Sequence, residues 1–152
     1  MAIDKTIMVE LTDAFSDAIS DVDVPSANRA EAKIDGSKVT EIMQFLRDKG
    51  FDHLSCISGV DYPPDKMEVV YHVTSYSAPL IITLKATLPR DDPNIDSLCA
   101  IYWNANWYER ETWEMFGIVF NDCPYLKVLI LPEEMDGEWP MRRDYAGYPN
   151  AT

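Results

Sequence analysis

Glycine, histidine, cysteine and basic charge are all scarce in this 152-residue sequence, and each shortage removes a class of function. Six glycines leave little material for phosphate-cradling loops, and no G-x-S-x-G, P-loop, G-x-G-x-x-G or H-E-x-x-H occurs. The two histidines, His53 and His72, have no recognisable catalytic partner in the sequence. Cys56, Cys99 and Cys123 form no C-x-x-C pair, so the cysteines predict a reducing compartment without disulfides. Three thiols also cannot supply the four that an iron–sulfur cluster usually takes. His53 and Cys56 have H-x-x-C spacing, but in a strand positions three apart face opposite sides, and no metal site is expected.

Basic charge is outnumbered two to one: 13 Lys and Arg face 26 Asp and Glu, a net charge of −13. The excess is even along the chain, −7 over residues 1–76 and −6 over 77–152. A field of that sign repels phosphate backbones and anionic lipid, which argues against nucleic acid and direct membrane binding. No apolar run approaches the roughly 20 residues needed to span a bilayer. The start, MAIDKTIMVELTD, lacks the apolar stretch of a signal peptide. A soluble, intracellular chain is the expectation.

What is present suits one domain with a real core, since 47% of the residues are hydrophobic. Ile7, Leu11, Ala14, Phe15, Ala18 and Ile19 recur at helical spacing, predicting an amphipathic helix over 5–19 that DVDVPS breaks. Arg29 to Ile34 can form a short strand. Ser37 is the expected N-cap of a helix over 38–49, with Val39, Ile42, Met43 and Leu46 inward and Gly50 as its stop. Strand-like runs come next at 53–60, 67–76 and 80–88; their short connections favour antiparallel pairing. Residues 88–94 form a loop. Asn104 is the expected N-cap of a helix over 105–116, ended by Gly117, and IVF and KVLIL (127–131) look like short strands. The architecture predicted is α+β: N-terminal helices, a mostly antiparallel sheet, a helix at 105–116 and an extended C-terminal arm. The globular domain is placed at 1–131 and the arm at 132–152.

The densest chemistry lies in WYERETWEMFG (107–117). Helical residues rotate about 100° each, so Glu109 and Glu111 stand about 200° apart and cannot cooperate as an acid/base pair. Arg110 and Glu114, at i and i+4, share a face and can pair. Trp107, Glu111 and Met115 form one stripe; Glu109, Trp113 and Phe116 form another. Three readings remain for the helix: a core element with a charged side, a general acid or base tuned by aromatics, or a protein interface, where aromatics and arginine are enriched. In the tail, Trp139, Tyr145 and Tyr148 are costly to leave in water, so an arm carrying them with Arg142, Arg143 and Asp144 is expected to dock.

NANWYERETWEMFGIVFNDCPYLKVLILPEE (104–134) and the later WPMRRDY strongly resemble the C-subunit family of respiratory NADH dehydrogenase (complex I). That family also includes members in energy-converting hydrogenases and in archaeal dehydrogenases that oxidise reduced deazaflavin coenzyme. Its E-R-E-x-x-[DE] signature followed by two apolar residues is met by Glu109, Arg110, Glu111, Glu114, Met115 and Phe116. Lys127, Leu129 and Ile130 match its downstream basic and apolar positions, and Pro140 through Tyr145 its closing P-[LM]-R-[KR]-[DE]-aromatic element. FDHLSCISGVDYP and PRDDPNIDS extend the resemblance over most of 37–145. One departure is Cys123, where the family usually has His or Lys.

The resemblance implies a chain with no catalytic residue, cofactor or metal of its own, while iron–sulfur clusters and flavin sit in partner subunits. It implies a place in the hydrophilic arm of an ion-translocating complex with a quinone-type acceptor, on the cytoplasmic side of the membrane and held there by partners. The implied neighbours are a hydrogenase-large-subunit-like catalytic subunit and iron–sulfur subunits. Trp107, Glu109, Arg110, Glu111, Glu114 and Phe116 are then expected at the interface with a neighbouring subunit, with Trp139, Arg142, Arg143, Asp144 and Tyr145 anchoring the arm over neighbouring chains. The donor stays open among NADH, reduced deazaflavin, ferredoxin and formate-linked hydrogen evolution. A stand-alone acid/base enzyme, using Glu109 or Glu111 with His53 or His72, and a peptide-binding module are the competing classes.

Overall fold

The computed structural model describes residues 2–147, with side chains from Thr6 onward. Tyr148 therefore lies outside the described residues. The elements run α1 (Ala2–Ala14), β1 (Ile19–Ser26), β2 (Arg29–Ile34), α2 (Val39–Asp48), β3 (His53–Tyr62), β4 (Lys66–Thr74), β5 (Ile81–Pro89), β6 (Asn94–Asp96), α3 (Ala105–Phe116) and β7 (Val119–Asn121). Five strands form one sheet in the order β1-β2-β5-β4-β3. Its neighbours are antiparallel except β2 and β5, which run parallel. The α+β class and the mostly antiparallel sheet agree with the expectation.

Alternation builds the core, broken on β5 by the buried Thr83. Met67, Val69, Tyr71 and Val73 on β4 are buried, as are Ile82, Leu84, Ala86 and Leu88 on β5 and Ala30, Ala32 and Ile34 on β2. Directly paired residues point to one side of a sheet, and the register aligns Ala32, Leu84, Tyr71 and Ile57 across four strands. One face thus carries the apolar set. α2 covers it with Val39, Ile42, Met43 and Leu46, each side chain contributing roughly 1.5–3 kcal/mol by burial. The other face is polar, with Lys85 on Glu31 at 2.8 Å and His72 Nδ1 3.0 Å from the Thr83 hydroxyl. That division is common for antiparallel sheets.

Several local expectations need correction. α1 ends at Ala14, and Ile19 opens β1 instead of closing the helix. The segment read as a break is an edge strand, exposed along most of its length. Its aspartates, Pro25, two register irregularities and the positive φ of Asp21 (48°) mask any strand pattern; such features suit an edge that must not pair further. Ser37 is not a cap: Asp35 accepts from the Ser37 N–H at 2.9 Å and starts a 3-10 turn before α2. Asn104 does not cap α3 either, because its amide donates to the Leu54 carbonyl at 2.8 Å. Asn94, read as the last residue of a loop, instead opens β6, which pairs in parallel with β7. Residues 127–131 are no strand. The amides of 129–131 are bound by a side chain of α3, not by a neighbouring strand.

α3 lies on the core face against β3. A Cβ on Gly59 would stand 2.6 Å from the Phe116 ring, so glycine sets this approach. Gly117 ends α3 with φ 74°, donating to the Trp113 carbonyl at 2.7 Å.

Candidate functional site

The signature residues of α3 fall on different sides of the helix, as its rotation requires. Glu109 is 0% exposed and Glu114 2%, while Glu111 is exposed. Glu109 accepts through Oε1 from the Leu98 N–H at 2.6 Å and through Oε2 from the Ser97 hydroxyl at 2.6 Å. Its carboxylate thereby fixes the loop after β6. Glu114 reaches the other side, accepting from the N–H groups of Leu129 (2.8 Å), Ile130 (3.0 Å) and Leu131 (3.3 Å).

Arg110 does not pair with Glu114. Its Nε donates to the Lys127 carbonyl at 3.1 Å and its Nη2 to the Val128 carbonyl at 2.9 Å. The two charges therefore grip one strap, the arginine by its carbonyls and the glutamate by the next amides along. The apolar run 127–131 reads as a strand in sequence, but its hydrogen bonds are satisfied by side chains. Arg110 also lies over the Trp107 ring, 5.6 Å from its centroid.

The C-terminal segment forms no helix or strand beyond a 3-10 turn at Glu133–Met135, and as far as Gly147 it lies on its own domain. The Met141 N–H donates to the Met115 carbonyl at 3.0 Å and Arg142 Nε to the Phe116 carbonyl at 2.7 Å, covering the end of α3. Arg142 stacks on Trp139 at 4.5 Å. A Cβ on Gly117 would stand 2.7 Å from the Trp139 ring, which leaves that ring no room for another residue there.

Asp61 fastens the next turn. Arg90 donates to it twice, at 2.6 and 3.0 Å, and the Arg143 N–H once, at 2.8 Å. Arg90 also pairs with Asp144 at 2.9 Å. The Arg90 hydrogen bond, outweighing burial, holds the Asp61 carboxyl below its ordinary value of 3.8. Burial lowers the Arg142 guanidinium from its usual value. Arg143 contributes here through its backbone; its side chain, like that of Asp144, is exposed. Tyr145 donates its N–H to the Arg142 carbonyl at 3.1 Å.

The structure thus brings Glu109, Arg110, Glu114, Phe116, Trp139, Arg142 and Asp144 into intramolecular contacts and leaves Trp107 and Glu111 facing out. Trp103 and Trp107, four residues apart at the start of α3, are 79% and 56% exposed. His72 sits on the polar face of the sheet and Glu109 beneath the loop at Leu98, so the acid/base pairing of these two has no geometric basis. Sequence reasoning missed Asp61, Arg90, Ser97 and Cys99. The order DYPP and PRDDP signals turns, and nothing local signals that the two turns meet.

The molecule falls in the class of α+β domains with helices on one face of a five-stranded sheet, its strap and arm folded onto the last helix. Two solved structures share this fold. A chain of the membrane-bound sulfane sulfur reductase, described as an archaeal respiratory membrane complex, superposes with a TM-score of 0.84 over 93% of this chain and 84% of that one. The trypsin-resistant fragment of Nqo5 gives 0.67 over 78% and 97%. Both are 23% identical and show the fold alone.

Sequence comparison is more specific. The family described as respiratory-chain NADH dehydrogenase, 30 Kd subunit, matches residues 32–150, and the chain belongs to that family. It is 51% identical over 150 residues to the C subunit of the F(420)H(2) dehydrogenase of Methanosarcina mazei, covering 97% of this chain and 95% of the relative. It is 39% identical over 112 residues to the C subunit of the NADH-quinone oxidoreductase of Rhizobium rhizogenes, covering 70% and 55%. The corresponding protein of Saccharopolyspora erythraea is 33% identical over 151 residues, with 90% and 60% covered. The chain therefore spans little more than half the length of these two NADH-quinone relatives.

Proposed function

We propose that this chain is a non-catalytic structural subunit in the hydrophilic arm of a membrane-associated, ion-translocating redox complex, packed against a hydrogenase-large-subunit-like catalytic subunit. The observation that carries this reading is the fate of the α3 carboxylates. Glu109 and Glu114 are consumed in holding this chain's own backbone, which leaves them no substrate to serve. What α3 and the turn before it leave exposed are two tryptophans, Trp103 in the turn and Trp107 in the helix, with Glu111 one turn further along. Exposed tryptophans are strongly favoured as interface anchors. The buried signature residues then act indirectly, by making that face rigid.

The match along almost the whole length of the M. mazei relative supports F(420)H(2) as the donor to the complex, and the NADH-quinone oxidoreductase relatives support a quinone-type acceptor. Flavin and iron–sulfur clusters belong to neighbouring subunits in this reading. Among the described residues no helix is long and apolar enough to cross a membrane, which fits a peripheral subunit held on the cytoplasmic side by its partners.

The test is the double substitution Trp103→Ala, Trp107→Ala in the native host, followed by purification from membranes in mild detergent. The unaltered chain is expected to co-migrate with iron–sulfur and membrane subunits. The variant should keep its melting behaviour in isolation yet be depleted from the complex. Recovery of the unaltered chain only as a lone monomer, or full incorporation of the variant, would overturn the proposal.

A further inference from the structure

Cys99 and Cys123 are 24 residues apart in sequence and meet in the fold. The parallel β6–β7 ladder pairs Asp96 with Asn121, and the Ser97 N–H continues it to the Asn121 carbonyl at 2.9 Å. The two chain segments then leave the ladder side by side, each presenting a thiol to the same spot. Glu109 rises from α3 beneath them. The three side chains place Cys99 Sγ, Cys123 Sγ and a Glu109 oxygen all within 4.8 Å of one another.

Two of the three spacings are close to those of a coordination shell. A tetrahedral ion of the zinc class lies about 2.3 Å from sulfur and about 2.0 Å from oxygen, which sets two sulfurs about 3.8 Å apart and sulfur and oxygen about 3.5 Å apart. Here the two sulfurs are 4.0 Å apart and Cys99 Sγ is 3.4 Å from Glu109 Oε2. A disulfide would need sulfurs near ~2.0 Å, far closer than they stand, and would leave the carboxylate without a part.

Electrostatics supplies a second argument. Glu109 is fully buried, and among the described residues no Lys or Arg pairs with it. Its hydrogen bonds come from the neutral Leu98 N–H and Ser97 hydroxyl, and a divalent cation would add the counter-charge they do not supply. Cys99 and Cys123 are each partly exposed.

The geometry points to a binding site for one thiophilic divalent cation of the zinc class, held by Cys99 Sγ, Cys123 Sγ and a Glu109 oxygen, with water in the fourth position. Binding forms two metal–sulfur bonds and one metal–oxygen bond. It breaks two S–H bonds, whose protons leave to solvent, and no group changes oxidation state. The bound ion would cross-link the loop after β6, α3 and the turn after β7. The site shares Glu109 with the reading that the α3 carboxylates hold this chain's own backbone, but metal binding and assembly into a complex are read by separate experiments, so failure of one is distinguishable from failure of the other.

Co2+ titrated into the reduced full chain under anaerobic conditions tests it. One equivalent should produce thiolate-to-cobalt charge-transfer absorption together with the intense visible bands of a tetrahedral ion, and Zn2+ should displace it. Cys99→Ser and Cys123→Ser should each weaken Co2+ binding at least about tenfold, while Cys56→Ser should leave it unchanged. Circular dichroism establishes that each variant is folded. Absence of the charge-transfer band at stoichiometric Co2+ in the folded unaltered chain overturns the assignment. So does its persistence in the Cys99→Ser, Cys123→Ser double variant.

Discussion

α2 and α3 are similar in length, 10 and 12 residues, yet they use charge in opposite ways. α2 is conventional. Its buried positions are Val39, Ile42, Met43 and Leu46, and the ion pair near its start, Lys38 with Glu41 at 2.8 Å, is half-exposed at the surface. α3 buries two glutamates and a threonine along with Ala105 and Phe116. Each buried polar group holds backbone from elsewhere: Glu109 the loop at 97–98, Thr112 the Ile57 carbonyl, Glu114 the strap at 129–131. A helix that buries acceptors organises irregular chain around itself, and one that buries hydrocarbon only closes a core. Of the described strap and arm residues from 127 to 147 only Met135 is buried, so polar anchors do much of the positioning.

The largest expected effect comes from removing such an anchor. Glu114→Ala deprives three amides of their acceptor, and each unsatisfied group costs about 1–3 kcal/mol when water cannot replace it. Partial solvation of the strap reduces the total, and we expect about 2–4 kcal/mol in urea denaturation, with faster proteolysis between 127 and 147. A loss no greater than that of a surface substitution on α2 would erase the contrast between the helices.

An intermediate effect is expected at Asp61, and it depends on pH. Its carboxyl is held below 3.8 in the folded chain by Arg90, so its stabilisation is present above that value and lost as pH falls below it. Asp61→Asn should lower the melting temperature at neutral pH, and the gap from the unaltered chain should narrow as the buffer is taken from about pH 5 toward about pH 3, a window set by that downward shift. Thermal melts across the window check the sign. A gap that stays constant would mean that the carboxylate charge is not what fastens the arm.

The smallest effect belongs to α2. Lys38→Ala breaks an exposed pair and should change stability by less than about 0.5 kcal/mol, read as a shift in the denaturation midpoint. A larger loss would show that α2 too depends on its charges.

The same distinction explains which parts of the fold are legible in the sequence. α2, the ends of α3, and β3 to β5 announce themselves because burial on one face imposes a period of 3.6 or 2 on the chain. β1 does not, because an edge strand with a mostly exposed side needs no alternation and carries Asp21, Asp23 and Pro25 instead. KVLIL resembles a strand by composition, yet its amides belong to Glu114 and its carbonyls at 127 and 128 to Arg110. Asn104 has the chemistry of a cap and spends it on Leu54, 50 residues away.

By itself the sequence determined the α+β class, the family, the mostly antiparallel sheet and the opposition of Glu109 to Glu111, since these come from periodicity, signature residues and helical rotation. Only the tertiary structure decided that Glu109 and Glu114 turn inward, that Asp61 meets Arg90 and the Arg143 amide, and that two distant thiols converge on one carboxylate. Those outcomes depend on which backbone groups long-range packing leaves without partners, and no local pattern of residues records that.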